Sequence, residues 1–134
     1  MLSIRVMLVA VLAALLLGAC GATGTSGGGA ATLFSSNAEK ELVKGIKNYE
    51  DGDYQSALVT LRNAQEMGLN DKGDQVRAHK YVAFIHCVSG REKQCRDEFK
   101  KALEISPSFE LQPEESGHPV WGPVFRGEKA KLIK

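Results

Sequence analysis

Two cysteines and a histidine lie close together in the stretch HCVSGREKQC, where a metal site, a redox pair or a disulfide bond would each make chemical sense. Cys87 and Cys95 are separated by seven residues, and His86 directly precedes the first of them. A zinc site needs three or four ligands, and only His79 stands nearby as a further one. Redox dithiols typically have two residues between the cysteines. The spacing alone leaves these kinds of chemistry open, so the compartment has to be read elsewhere in the chain.

The first residues of the chain indicate that compartment. Arg5 precedes an apolar run over residues 6–17, which is typical of a secretory signal peptide and too short for a comfortable membrane span. The following Leu-Gly-Ala-Cys resembles the lipobox of bacterial lipoproteins. The resemblance implies cleavage after residues 1–19 and a lipid on Cys20, with a signal peptide whose cysteine is coincidental as the alternative. Because Gly21 follows, rather than the aspartate of an inner-membrane retention signal, we expect a lipid anchor in the outer membrane, on its periplasmic face.

Charge and composition describe the part of the chain that follows the signal peptide. Of 17 basic and 16 acidic residues, the signal peptide carries one basic residue, so the mature chain is balanced. A chain without net positive charge gives no reason to expect a nucleic-acid partner, and its membrane contact is expected through the lipid anchor. Residues 20–35 are mostly Gly, Ala, Ser and Thr, which predicts a flexible linker with a reach of roughly 20 Å.

Four amphipathic helices are predicted between residues 36 and 110. Ser36 and Glu39 form a capping-box pattern at the first start, and Asp53 can cap the second helix after the Glu-Asp-Gly-Asp turn. Apolar side chains then recur at helical spacing. The first helix is expected to run from residue 36 to that turn, and the others over residues 54–68, 75–89 and 92–105.

The helices resemble tetratricopeptide repeats, which have a period of about 34 residues. The first repeat would span residues 38–71 and the second residues 76–109, with residues 72–75 inserted between them. The matching positions are Gly45, Gly52, Asp53, Tyr54, Ala57, Ala64, Ala83, Gly90, Phe99, Ala102 and Pro107. The resemblance implies an all-α fold in which two tetratricopeptide-type hairpins form a domain over residues 36–110, with a plain antiparallel helical bundle as the alternative. Leu69 and Cys95 depart from the family pattern, which usually has proline and alanine there.

Residues 111–134 are expected to cap the second repeat, because two repeats leave an open end. Pro113 can start a short helix, whereas Pro119, Gly122 and Pro123 argue against a long one. Trp121 and Phe125 belong to a compact apolar cluster in this tail. The alternative is a segment that docks a partner, with Trp121 and Phe125 as anchors.

In the oxidising compartment that the lipobox resemblance implies, the remaining pair Cys87 and Cys95 is expected to form a disulfide. The bond requires Cα atoms within about 7 Å, and it would stabilise the hairpin by about 2–3 kcal/mol. Two buried free thiols are the alternative.

The tetratricopeptide resemblance also implies a partner-binding groove lined by the first helix of each repeat. Its positions correspond here to Leu42, Ile46, Tyr49, Arg77, Lys80 and Phe84. Arg77 and Lys80 are suited to hold a carboxylate while the others supply apolar contact. A groove too shallow for a partner and filled by the tail is the alternative.

The run from residue 79 to 125, with its cysteine pair and Gly-His-Pro-Val-Trp-Gly-Pro-Val-Phe segment, is similar to small lipoproteins associated with type VI secretion, the TssQ-like family. This resemblance implies an accessory lipoprotein that contacts an envelope or secretion-apparatus protein. A pilotin-like or envelope-assembly lipoprotein and a periplasmic thiol redox factor are the alternatives. We find no pattern of catalytic residues, and we expect no enzyme activity, metal, cofactor or small-molecule substrate.

Overall fold

The computed structural model describes residues 36–133, which form helices and turns without any strand. The helices are α1 (Asn37–Glu50), α2 (Tyr54–Met67), α3 (Lys72–Val88), α4 (Glu92–Ile105), α5 (Pro113–Ser116) and α6 (Trp121–Ala130), followed by a 3-10 turn at Lys131–Ile133. The all-α prediction is confirmed for this part of the chain. The predicted signal peptide, the lipidated Cys20 and the linker lie outside the described residues. Within residues 36–133, no helix has both the length and the apolar character needed to cross a membrane.

Side chains that cap free backbone amides fix the starts of the first three helices. The Ser36 hydroxyl accepts from the Glu39 amide at 3.2 Å, while the Glu39 carboxylate accepts from the Ser36 amide at 3.0 Å. This is the predicted capping box. Asp53 accepts from the backbone amide of Ser56, three residues into α2, as the sequence pattern indicated.

The third helix starts earlier than predicted. Asp71 caps it by accepting from the Asp74 amide at 3.0 Å. Residues 72–75, which the repeat pattern treats as an insertion, therefore form the first turn of α3. The cap explains the difference, because an aspartate side chain satisfies an amide that would otherwise lack a partner at the helix start.

Two helical hairpins follow one another along the chain. Helices α1 and α2 pack together along their length, as do α3 and α4, and α2 also contacts α3. Gly45 sets the distance between α1 and α2, because a Cβ atom there would lie 2.7 Å from Cγ of Leu61. The turn between α3 and α4 contains Gly90, whose φ of 72° favours glycine.

The core consists of two adjoining clusters. One lies among α1, α2 and α3 and includes Leu42, Ile46 and Leu61. The other lies among α3, α4 and the tail and includes Phe84, Phe99, Trp121 and Phe125. Tyr49 and Tyr81 pack against both clusters, so the aromatic side chains join the two halves of the domain.

The tail contains a longer helix than the sequence predicted. Helix α5 begins at Pro113 as expected, but α6 then runs for 10 residues from Trp121. The expectation that Gly122 and Pro123 prevent such a helix was wrong. Both lie in the first turn of α6, where proline is tolerated since the amide there has no partner within the helix.

Candidate functional site

The cysteine pair joins the end of α3 to the start of α4. The sulfur atoms of Cys87 and Cys95 are 2.01 Å apart and the Cα atoms 5.1 Å apart, which meets the distance condition for the predicted disulfide. Both residues are buried, at 6% and 0% exposure, in the cluster that also contains Phe84 and Phe99. A pair so enclosed is suited to hold two helices together.

His86 is held by arginine side chains on both sides of its ring. Arg91 Nε donates to Nδ1 at 2.8 Å, and Arg62 Nη2 lies 3.3 Å from Nε2. Burial, together with the positive charges of Arg91 and Arg62, lowers the pKa of His86 below its usual value of 6.5. His86 is therefore a buried neutral side chain that ties α2 to the turn between α3 and α4. Among residues 36–133, no three His, Cys, Asp or Glu side chains gather where they could hold a metal ion.

A second polar cluster, centred on Glu98, was not singled out from the sequence. Its carboxylate lies 2.6 Å from Nδ1 of His79 and accepts from Lys101 Nζ at 2.8 Å. Burial acts to raise the pKa of Glu98, but the hydrogen bonds from His79 and Lys101 outweigh it and hold that pKa below the usual range. The signal was present, because Glu98 falls on the helical stripe of Cys95, Phe99 and Ala102. A glutamate on a buried stripe needs a positively charged or hydrogen-bonding partner, because an unpaired buried charge is costly.

Three residues of the predicted groove belong to the core in the structure. Leu42 and Ile46 share a stripe with Ala38 that packs against α2 and α3. Phe84 is 1% exposed because the indole of Trp121 stacks on it, with centroids 4.2 Å apart. These side chains are covered by the chain itself, so a partner would meet other residues.

Lys80 of the predicted groove binds a carboxylate that comes from the tail. Its Nζ donates to Oε1 of Glu115 at 2.6 Å, and both side chains are largely buried. Arg77 is exposed and pairs with Asp74 on its own helix at 3.0 Å. Among the described residues, one hydrogen bond connects residues 36–105 with residues 111–133. It is the charged hydrogen bond from Lys80 to Glu115.

The tail lies on the second hairpin through aromatic contacts. Trp121 stacks between the rings of Phe84 and His118, while its Nε1 donates to the backbone oxygen of Glu115 at 2.8 Å. Phe125 meets Phe99 edge to face, with centroids 5.3 Å apart. Trp121 and Phe125 thus pack the tail onto α3 and α4.

A row of tyrosines remains partly accessible beside the cap. Tyr49 lies 5.4 Å from Tyr54 and 5.0 Å from Tyr81, measured between ring centroids. Burial raises the pKa of Tyr49 to about 12, and electrostatic interactions with Tyr54, Tyr81 and Glu115 act in the same direction. Tyr49 therefore stays protonated and neutral at physiological pH. The row offers ring faces and hydroxyl groups for contact.

A cleft with a volume of about 660 Å³ lies between the first half of α3 and the segment after α4. It contains two of the predicted groove residues, Arg77 and Lys80. Its lining is completed by Lys72, Gly73, Val76, Ile105, Ser106, Pro107, Phe109, Glu110 and Gln112. Comparisons with protein-family models, curated proteins and solved structures returned no significant match to this chain.

Proposed function

We propose that this chain is a lipid-anchored scaffold of the tetratricopeptide type, held at the periplasmic face of the outer membrane, that docks a protein of the envelope. The finer assignment is an accessory lipoprotein of a type VI secretion system, as the resemblance to the TssQ-like family implies. The membrane contact is proposed to run through Cys20 and the linker that follows it.

The proposal rests on the places that the residues matching the repeat pattern take in the folded structure. Small residues at such positions allow close helix contact, and Gly45 lies directly against Leu61 of the neighbouring helix. Among the other matches, five are fully buried between helices: Ala57, Ala64, Ala83, Phe99 and Ala102. Tyr54, by contrast, is 41% exposed. This burial supports a repeat-type packing over the alternative of a plain helical bundle.

A docking role is favoured over chemistry at the cysteines. Thiol exchange requires access of an attacking thiolate to a sulfur atom. Cys95 is fully buried and Cys87 nearly so, with Phe84 and Phe99 in the same cluster. The burial supports a structural disulfide and disfavours the periplasmic redox factor.

The proposal is tested by photo-crosslinking in the native bacterium. Phe84 is unsuitable because a crosslinking residue there would face the tail. We would place it at Tyr54 and Lys72, which are exposed, and at Lys93 near the start of α4 as a comparison site. Capture of a type VI secretion component at Tyr54 or Lys72 is the expected result. Capture of a secretin would favour the pilotin-like alternative, and capture of no envelope protein at any site would contradict docking.

A further inference from the structure

The cleft beside α3 combines an apolar floor with a positively charged rim. Val76, Ile105, Pro107 and Phe109 supply the apolar part of its lining. Lys72, Arg77 and Lys80 lie on the side formed by α3. A surface of this kind fits a chain segment that carries both aliphatic and acidic side chains.

Positive charge at the rim is not fully neutralised by neighbouring residues. Lys72 makes no ion pair within residues 36–133, and Arg77 contacts Asp74 through a single guanidinium nitrogen. The one carboxylate that lines the cleft, Glu110, pairs with Lys129 of the tail at 2.5 Å. The residues that line the cleft thus include three cations and one carboxylate, and Lys72 is the cation without an ion pair among the described residues.

At the inner end of the cleft, one of these cations binds a carboxylate of the chain itself. Lys80 is nine-tenths buried there and binds the Glu115 carboxylate at 2.6 Å. Arg77 lies three residues before Lys80, one turn along the same face of α3. A chain running along α3 from Glu115 towards the helix start would therefore place its next carboxylates at Arg77 and Lys72.

We propose that this cleft binds an extended acidic segment of a partner protein. In that complex, carboxylates contact Arg77 and Lys72, and an aliphatic side chain rests on the floor formed by Ile105, Pro107 and Phe109. An inorganic anion would leave this floor unused, which is why a protein segment fits better. The inference rests on the proposed docking function and adds the chemistry of the partner and the place where it binds.

The test uses the full chain in detergent and a fluorescein-labelled peptide in which glutamate and leucine alternate. Fluorescence anisotropy gives its Kd at low and at high salt. Exposed ion pairs are individually weak, so we expect Arg77→Gln and Lys72→Gln each to weaken binding about threefold and the double variant about tenfold. Lys93→Gln, which removes an 85% exposed lysine from α4, is the matched control and should leave the Kd unchanged.

Two further peptides complete the design. A glutamine peptide of the same length should bind at least about fivefold more weakly, and so should one with glycine in place of leucine. Equal binding of either peptide, an unchanged Kd in the double variant, or no binding at about 1 mM would overturn the inference. If the crosslinker at Tyr54 captures a secretion component while the peptides fail, the proposed function stands and the cleft assignment falls.

Discussion

The indole ring of Trp121 lies on the phenyl ring of Phe84, nearly parallel to it at 19° and with the ring centroids 4.2 Å apart. This stack places the tail over the face of α3 that, by the resemblance to tetratricopeptide repeats, would form part of a partner-binding groove. The same contact leaves the cleft near Lys72 and Arg77 open, which directs the search for a partner towards the start of α3.

Removing the indole should destabilise the whole second hairpin. Trp121 is 8% exposed, so Trp121→Ala leaves a cavity between Phe84 and the tail, and we expect a loss of about 3–5 kcal/mol. Urea unfolding followed by circular dichroism measures it. Val120→Ala, at a neighbouring exposed position, should change stability by no more than about 0.5 kcal/mol. Equal losses in the two variants would contradict the proposed packing of the tail.

The disulfide should be present in the purified protein and should contribute to stability. Reduction should raise the intact mass by two hydrogen atoms, and the double variant Cys87→Ser, Cys95→Ser should lose about 2–3 kcal/mol in urea unfolding. An unchanged mass after denaturation and reduction would mean that the cysteines are free thiols. Since both sulfurs are buried, the native protein should react slowly with reductant until it unfolds.

Two glycines should respond to alanine in opposite directions. Gly45→Ala places a methyl group 2.7 Å from Leu61 Cγ and should cost about 1–3 kcal/mol. Gly127 lies within α6 with no atom within 4 Å of the added Cβ, so Gly127→Ala should stabilise by about 0.5–1 kcal/mol. Urea midpoints measure both changes. A harmless Gly45→Ala would show that α1 and α2 do not approach as closely as the structure has them.

His86 should make the protein less stable in acid. The folded state holds its pKa below 6.5, so the unfolded state binds a proton first and stability falls as the pH drops below about 6.5. The loss should level off once the pH passes the folded pKa. His86→Gln cannot be protonated, so its urea midpoint should fall less between pH 7.5 and pH 5.5, both about one unit from the reference pKa. The same fall in both proteins would contradict a buried neutral imidazole.

The sequence predicted the features that depend on neighbouring residues. The capping box of Ser36 and Glu39, the cap at Asp53 and the turn at Gly90 are set within a few positions, and the structure has all three. Leu42 and Ile46 show what neighbouring residues leave undecided. Their helical stripe is compatible with a place in the core and with a place in a groove. Only the packing of α1 against α2 and α3 decides between them.

Contacts of the tail depend on residues far apart in the chain. Lys80 and Glu115 are 35 positions apart, and no local pattern pairs them. Sequence propensity underestimates the length of α6, because Gly122 and Pro123 usually break a helix but here belong to its first turn. Long-range pairing and the exact start of a helix are both fixed by tertiary contacts, which propensity alone does not contain.

The fluorescence of Trp121 tests the central structural claim most directly, because it is the only tryptophan of the chain. With the indole enclosed by Phe84 and His118, we expect blue-shifted emission and slow quenching by acrylamide in the native protein. Glu115→Gln, which removes the ion pair of the tail with Lys80 of α3, should increase the quenching. Emission and quenching like those of a free indole, in a chain that circular dichroism shows to be folded, would contradict a tail closed over α3.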